Sequence, residues 1–266
     1  MNKDVWNFRL LHSQEEKIRH LEKMGIDYLL IVPFSKELAS LDACEFVQQY
    51  LIDKLNVSTL LIGYDNKFGK DRKGDPEGLS DCSSKYGFEI EKIDEYRNSV
   101  GNVSSTSIRK ALLDGDLGAA RDMLNYKYYL TGTVIQGNHL GQKLGYPTAN
   151  INPHTAYKLI PRDGVYAARA EIRGEIYNGM MNIGVRPTLD SANPVKTIEV
   201  HLFDFDQDVY GCDLVVEFVA RLRAERKFED IEELVAQIEQ DSQEARALLS
   251  AELAAEGVAG TARVGC

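Results

Sequence analysis

A hydroxyl and a carboxamide stand two residues apart at Thr148 and Asn150, closing the run GTVIQGNHLGQKLGYPTAN (Gly132 to Asn150). On an extended segment, residues two apart point the same way. These two side chains could therefore offer hard oxygen ligands to one Mg²⁺, which takes few protein ligands and completes its shell with phosphate oxygens and water. Gly132, Gly137, Gly141 and Gly145 precede them. Glycines let a backbone approach a phosphate closely and present N–H groups to it. The run is not a Walker A loop, because no G-K-S/T follows. The same glycines would equally serve as hairpin turns from which PTAN emerges.

Glu199 lies in TIEVHLFDF, on the opposite strand face from Ile198, Val200 and Leu202. A carboxylate there could take the proton of an attacking primary hydroxyl. A solvated strand glutamate is the commoner case. His201 shares its face. Further forward, Ser104, Ser105 and Thr106 precede a helical pattern, where free N–H groups and the helix dipole favour a phosphate. Arg109, one turn in, could add a charge-assisted contact. Ser and Thr are also ordinary N-caps, and that reading comes first here.

Two kinds of element must position these groups. In the first half, Ser13 to Gly25 reads as a helix with Ser13 and Glu16 forming a capping box. Tyr28 to Pro33 and Thr59 to Gly63 are short apolar runs suited to buried parallel strands, and Phe88 to Ile93 reads as another strand. Helical spacing occupies Asp42 to Leu55, and two short helices meet at Gly115. This is an α/β pattern. From Tyr128 to Leu222 the period becomes two, with turn residues between strands, which predicts a small antiparallel barrel or sandwich. Tyr166, Ala168, Ala170 and Ile172 share one face. A last helix is expected from about Asp230, with Ile231, Leu234, Val235 and Ile238 aligned, ending near Glu256 at Gly257.

The chain has 266 residues and a formal net charge of −10. Its length allows two domains. The acidic balance argues against nucleic acid or an anionic membrane as partner. Cys44, Cys82, Cys212 and Cys266 are widely spaced. They suggest neither a zinc site nor a disulfide framework, and hence a reducing cytoplasm. No apolar run approaches the roughly 18 residues of a membrane span, and the first residues do not form a signal peptide.

The later motifs carry a resemblance. L-G-Y-P-T-A-N, NIGVRPT (Asn182–Thr188), TIEVHLFDF followed by Tyr210 and Gly211, and Arg223, Glu225, Lys227 and Phe228 occur in the order found in the riboflavin kinase family. That resemblance implies a six-stranded antiparallel barrel with a C-terminal helix, and transfer of the ATP γ-phosphate to the riboflavin 5′-hydroxyl. It makes Thr148 and Asn150 the Mg²⁺–ATP ligands and Glu199 the general base. Gly132, Gly137, Gly141, Arg186 and Arg223 become binding residues. Gln142 departs from the basic residue common in the family. His139 and His154 read as loop surface.

GYDNKFGKDRKGD (Gly63–Asp75) and VSSTSIR (Val103–Arg109) resemble the FMN adenylyltransferase module to which this kinase is fused in bacteria. The resemblance then implies an incomplete Rossmann-like nucleotidyltransferase domain over residues 1–124, a kinase barrel over 125–256 and a disordered tail over 257–266. Ser104, Ser105, Thr106 and Arg109 become nucleotide contacts. No H-x-G-H occurs in the chain, so FMN adenylyltransferase activity is not expected from it alone. The alternatives are the full bifunctional enzyme, its H-x-G-H segment lost from the gene model, and a non-catalytic flavin-binding protein. The presence of Thr148, Asn150 and Glu199 disfavours the latter.

Overall fold

The computed structural model describes residues 9–70, 73–98, 101–137, 141, 144–186 and 195–261. The chain divides into two compact units, residues 1–26 with 103–266, and residues 27–102. The first helix, α1 (Gln14–Lys23), belongs to the larger unit. The Ser13 hydroxyl accepts from Glu16 N and the Glu16 carboxylate accepts from Ser13 N, which is the expected capping box.

The smaller unit contains α2 (Lys36–Ser40), α3 (Ala43–Phe46) running into a π-helical stretch (Val47–Ile52), β1 (Thr59–Gly63), α4 (Ser80–Tyr86), β2 (Glu89–Ile93) and a short hairpin of β3 (Arg97–Asn98) and β4 (Gly101–Asn102). β1 and β2 pair in parallel, Thr59 against Glu89, as the apolar runs predict. Tyr28 to Pro33 does not become a strand. It is irregular, with Tyr28 93% and Leu30 60% exposed. An apolar run becomes a strand only by pairing, and among the described residues β1 and β2 pair only with each other. A second correction concerns the cysteines: Cys44 and Cys82 form a disulfide with Cα atoms 5.8 Å apart. Their separation of 38 residues hides the pairing, because packing of α3 near α4 creates it.

In the larger unit, α5 (Ser105–Asp114) and α6 (Leu117–Leu124) turn at Gly115, whose φ of +81° suits glycine. Then come β5 (Tyr129–Ile135), β6 (Ala149–Pro153), β7 (Gly164–Ile172), β8 (Glu175–Arg186), β9 (Val195–Leu202), β10 (Asp213–Arg223) and α7 (Ile231–Thr261). The six strands close into a barrel in the order β10-β5-β6-β9-β8-β7, every neighbouring pair antiparallel. Alternation sends Tyr166, Ala168, Ala170, Ile172, Ile198, Val200 and Leu202 into the barrel core, where all are buried. On the outer face, Ala167, Met180 and Phe203 bury against Ala245 and Leu249 of α7. Ile231 lies outside that seam, 61% exposed. α7 also continues past Gly257, since a single helical glycine costs only about 1 kcal/mol. Among the described residues no helix is long and apolar enough to cross a membrane.

A buried ion pair fixes α1 to the barrel. Lys158 Nζ lies 2.6 Å from Glu16 Oε2 and 2.7 Å from Leu11 O, and both charged side chains are 1% exposed. Glu16 Oε1 accepts from Thr131 N and Oγ1. Burial pulls the Lys158 ammonium down to about 8, against the attraction of Glu16. Removing one partner of such a pair strands the other charge in a dry site. Lys158→Met should therefore destabilise the larger unit by about 3–5 kcal/mol, with Glu16→Leu/Lys158→Met recovering much of the loss; urea unfolding measures both.

Beside this pair, Tyr126 Oη lies 2.6 Å from His12 Nε2. Burial, then the Lys158 charge, lowers His12 to about 4. An imidazole held neutral when folded and titrating normally when unfolded costs stability as pH falls from 6.5 to about 4. His154 opposes this: despite burial, hydrogen bonds to Asp213 and Glu15 raise its pKa. His12→Gln should flatten the fall in thermal midpoint over that window. An unchanged pH profile would remove His12 from the account.

Candidate active site

The β6–β9 pairing sets Asn150 opposite Glu199, and the β8–β9 pairing sets Asn182 opposite the same glutamate. Directly paired residues share a face. Ile198 and Val200 occupy the core, so this row faces outward, toward α7. The Thr148 hydroxyl lies 3.4 Å from Glu199 Oε2. Thr148, Asn150 and Glu199, singled out in the sequence, thus gather at one place on the barrel.

Two cavities meet at Thr148, one of which Glu199 also lines, and Asn150 lines neither. The outer one, about 300 Å³, is lined by Thr148, Glu199, His201 and Arg223, with Met180, Phe228, Leu234 and Ile238 supplying apolar surface. The other, about 430 Å³, includes Val134, Val200 and Leu202 from the barrel core and residues Phe205 to Tyr210. Thr148 lines both.

The glycines act differently from the sequence expectation. A methyl added at Gly137 would lie 2.0 Å from Asn150 Nδ2, and one at Gly141 would lie 3.3 Å from Thr148 Oγ1 and 2.3 Å from Tyr146 O. Both glycines make room for the oxygen donors themselves. Gly132 sits in β5 against Asn152 O, in neither cavity. Residues 138–140, 142 and 143, which include His139 and Gln142, lie outside the described residues, as does the Arg186 side chain at the end of β8.

Arg223 grips Asp241 of α7 through Nε at 2.9 Å and Nη2 at 2.7 Å, and Asp241 also accepts from Gln237. This tie holds α7 over the outer cavity, and its residues are 18 apart in sequence. Asn182 donates to Glu225 at 3.4 Å, at the edge of hydrogen-bonding distance. Ser104 caps α5 in a reciprocal arrangement with Ser107, and Arg109 Nε donates to Arg9 O. Ser104, Ser105, Thr106 and Arg109 line neither cavity. His154 is a docking residue, between Glu15 of α1 and Asp213 of β10.

The donor set suits Mg²⁺. Asn150 is 8% exposed. Its carboxamide oxygen and the Thr148 hydroxyl are hard donors of the kind Mg²⁺ takes. Among the described residues no group of three His, Cys, Asp or Glu could hold a metal instead.

A riboflavin kinase family model matches residues 124–249, and an FAD synthetase model matches residues 1–107. Fold and site therefore define a riboflavin kinase barrel preceded by an FAD synthetase domain. The bifunctional riboflavin kinase/FMN adenylyltransferase of Bacillus subtilis is 41% identical over 244 residues, covering 89% of this chain and 74% of the relative. The protein of that name from Escherichia coli K12 is 37% identical, covering 87% and 73%. A crystal structure from Streptococcus pneumoniae, described as a macrolide-efflux protein, superposes with a TM-score of 0.80 at 33% identity, covering 90% of this chain and 76% of that one. The chain belongs to the bifunctional riboflavin kinase/FMN adenylyltransferase family.

Gly137→Ala would push the Asn150 amide aside while leaving the core intact. The rate of flavin phosphorylation should fall by about 100-fold, as for other ångström-scale displacements at active sites, with the thermal midpoint unchanged. A rate near wild type would show that Asn150 need not stay where it is.

Proposed function

We propose that the ATP-dependent riboflavin kinase reaction of this family runs where the two cavities share Thr148, with Glu199 as the base. The observation that carries this is the Thr148–Asn150–Glu199 cluster at one end of the β6–β9 pairing. Riboflavin belongs in the outer cavity, which has the apolar surface and Phe228 for a flat ring and is the one that Glu199 lines. The nucleotide then enters from the other cavity and presents its terminal phosphate at Thr148. In-line transfer requires attacking and leaving oxygens on opposite sides of phosphorus, and two cavities that share Thr148 support that reading.

Thr148 Oγ1 and Asn150 Oδ1 would hold Mg²⁺, which when bound offsets charge on the transferring phosphoryl group. Glu199 orients the 5′-hydroxyl and accepts its proton as the oxygen attacks. Arg223 keeps α7 in place over the flavin through Asp241. Gly132, the loop glycines, Arg186 and the Ser104–Arg109 helix start are proposed as further binding residues on the family resemblance alone. On the same basis, residues 1–124 and 125–256 are the two functional modules. The substrates are riboflavin and ATP, with no nucleic-acid or membrane partner, and the compartment is the cytoplasm, where ATP is available.

The FAD synthetase match over residues 1–107 favours a second reading in which the protein also adenylylates FMN. The chain carries no H-x-G-H, and we expect no FAD from FMN and ATP with it alone.

Glu199→Gln should lower kcat by roughly 10²–10⁴ with little change in the KM for riboflavin, read as FMN formed by chromatography. Thr148→Ala and Asn150→Ala should raise the Mg²⁺ concentration needed for half-maximal rate. A Glu199→Gln enzyme with ordinary kcat would dismiss the base, and unaltered Mg²⁺ curves would dismiss the ligands.

A further inference from the structure

The cross-strand pairing that organises the site stops one residue too early. β6 pairs with β9 at Asn150–Glu199 and Ala149–Val200, and the ladder ends there. Thr148 is the next residue and Pro147 the one before it, so a hydroxyl that must be held closely lies beyond the last rung. Another contact replaces the missing rung. His201 Nδ1 lies 2.8 Å from the Pro147 carbonyl oxygen. That carbonyl and the Thr148 N–H belong to one planar peptide unit. Anchoring the oxygen therefore fixes the plane from which Thr148 departs.

The imidazole is itself held in place. Tyr146 and Phe203 meet it edge to face, with centroids 5.5 Å and 5.7 Å away. The Tyr146 hydroxyl donates to Glu239 of α7 at 2.5 Å. Gly141 leaves room for Thr148, since a methyl there would lie 3.3 Å from its hydroxyl. A carbonyl can only accept, so His201 carries its proton on Nδ1.

We propose that His201 is a positioning residue for phosphoryl transfer, acting through its Nδ1–H bond to Pro147 to set the place of the Thr148 hydroxyl. The proposal rests on the reading of Thr148 as a ligand of the metal–nucleotide. It differs from an acid–base role, which the position of His201 two residues from Glu199 and on the same cavity would also suggest. Burial lowers the His201 pKa, with the Pro147 carbonyl pulling against it. Protonation would leave the Nδ1–H donor in place, so a positioning role predicts no new pH dependence.

The test is FMN formation by the full chain, measured against Mg²⁺, MgATP and pH, for His201→Leu, His201→Asn and Thr148→Ala. The asparagine amide nitrogen falls close to the place of Nδ1, whereas leucine has no donor. His201→Leu should lose roughly tenfold in kcat/KM for MgATP, the scale of one lost hydrogen bond. It should also need more Mg²⁺, while its KM for riboflavin holds. His201→Asn should recover most of that loss, and the acid limb of the rate profile should stay where it is in both. If leucine unfolds the barrel, His201→Gln, whose amide lies one carbon further out, takes its place and should behave as the defective variant.

A His201→Asn enzyme as poor as the leucine form, a silent leucine form, or a displaced acid limb would each overturn the proposal. Thr148→Ala separates the two levels. If it leaves the Mg²⁺ requirement unchanged, the ligand reading itself has failed. If it raises that requirement while His201→Leu is silent, only the positioning role has.

Discussion

The register between β6 and β9 is the constraint on which the site depends. Side chains alternate across a strand, so a slip of one residue would turn Glu199 into the barrel core and bring Val200 out. The apolar set Ile198, Val200 and Leu202 opposes that slip, because burying a carboxylate in their place is prohibitive. Core packing thus specifies where the acid points. The same alternation places Asn150 and Asn182 on either side of Glu199 in a single row across three strands. The Asn150–Glu199–Asn182 row lies on the outside of a barrel whose inside determines its direction.

An outward site on a sheet needs a cover, and α7 supplies it. Its apolar residues Ala245 and Leu249 bury against Ala167, Met180 and Phe203. Nearer its start, the helix is tied by Asp241 to Arg223 and by Glu239 to Tyr146, so its roof over the cavity is polar at the edges and apolar beneath. α1 covers a different part of the wall. There the adhesive is electrostatic: Glu16 with Lys158, Arg19 with Glu171 at 2.5 Å, and His154 between Glu15 and Asp213.

Much of this was legible in the sequence wherever the signal is local. The Ser13 capping box, the turn at Gly115 and the period-two faces of β7 and β9 each depend on residues a few positions apart. The pairing of Thr148 with Asn150 on one side of β6 was legible for the same reason, since the two are separated by a single alanine. What escaped notice depends on distant partners. Glu16 and Lys158 are 142 residues apart, and nothing in either neighbourhood announces a buried pair. Cys44 and Cys82 read as isolated thiols until two helices brought them together. Tyr28 to Pro33 has the composition of a strand and lacks a neighbour to make it one. The glycines before PTAN were recognised as places of close approach. Gly137 and Gly141 leave room for the Asn150 and Thr148 side chains, a relation that only the folded chain defines.

The disulfide gives the two units different dependence on their surroundings. Among its described residues, the smaller unit has a modest core of six buried apolar residues. Closing a loop of this length removes about 4 kcal/mol of chain entropy from its unfolded ensemble. The barrel gains nothing of the kind, since Cys212 is a free thiol. Thiol reductants would loosen the small parallel-stranded unit and leave the barrel's closure intact, so the redox poise around the protein sets how durable one half is relative to the other.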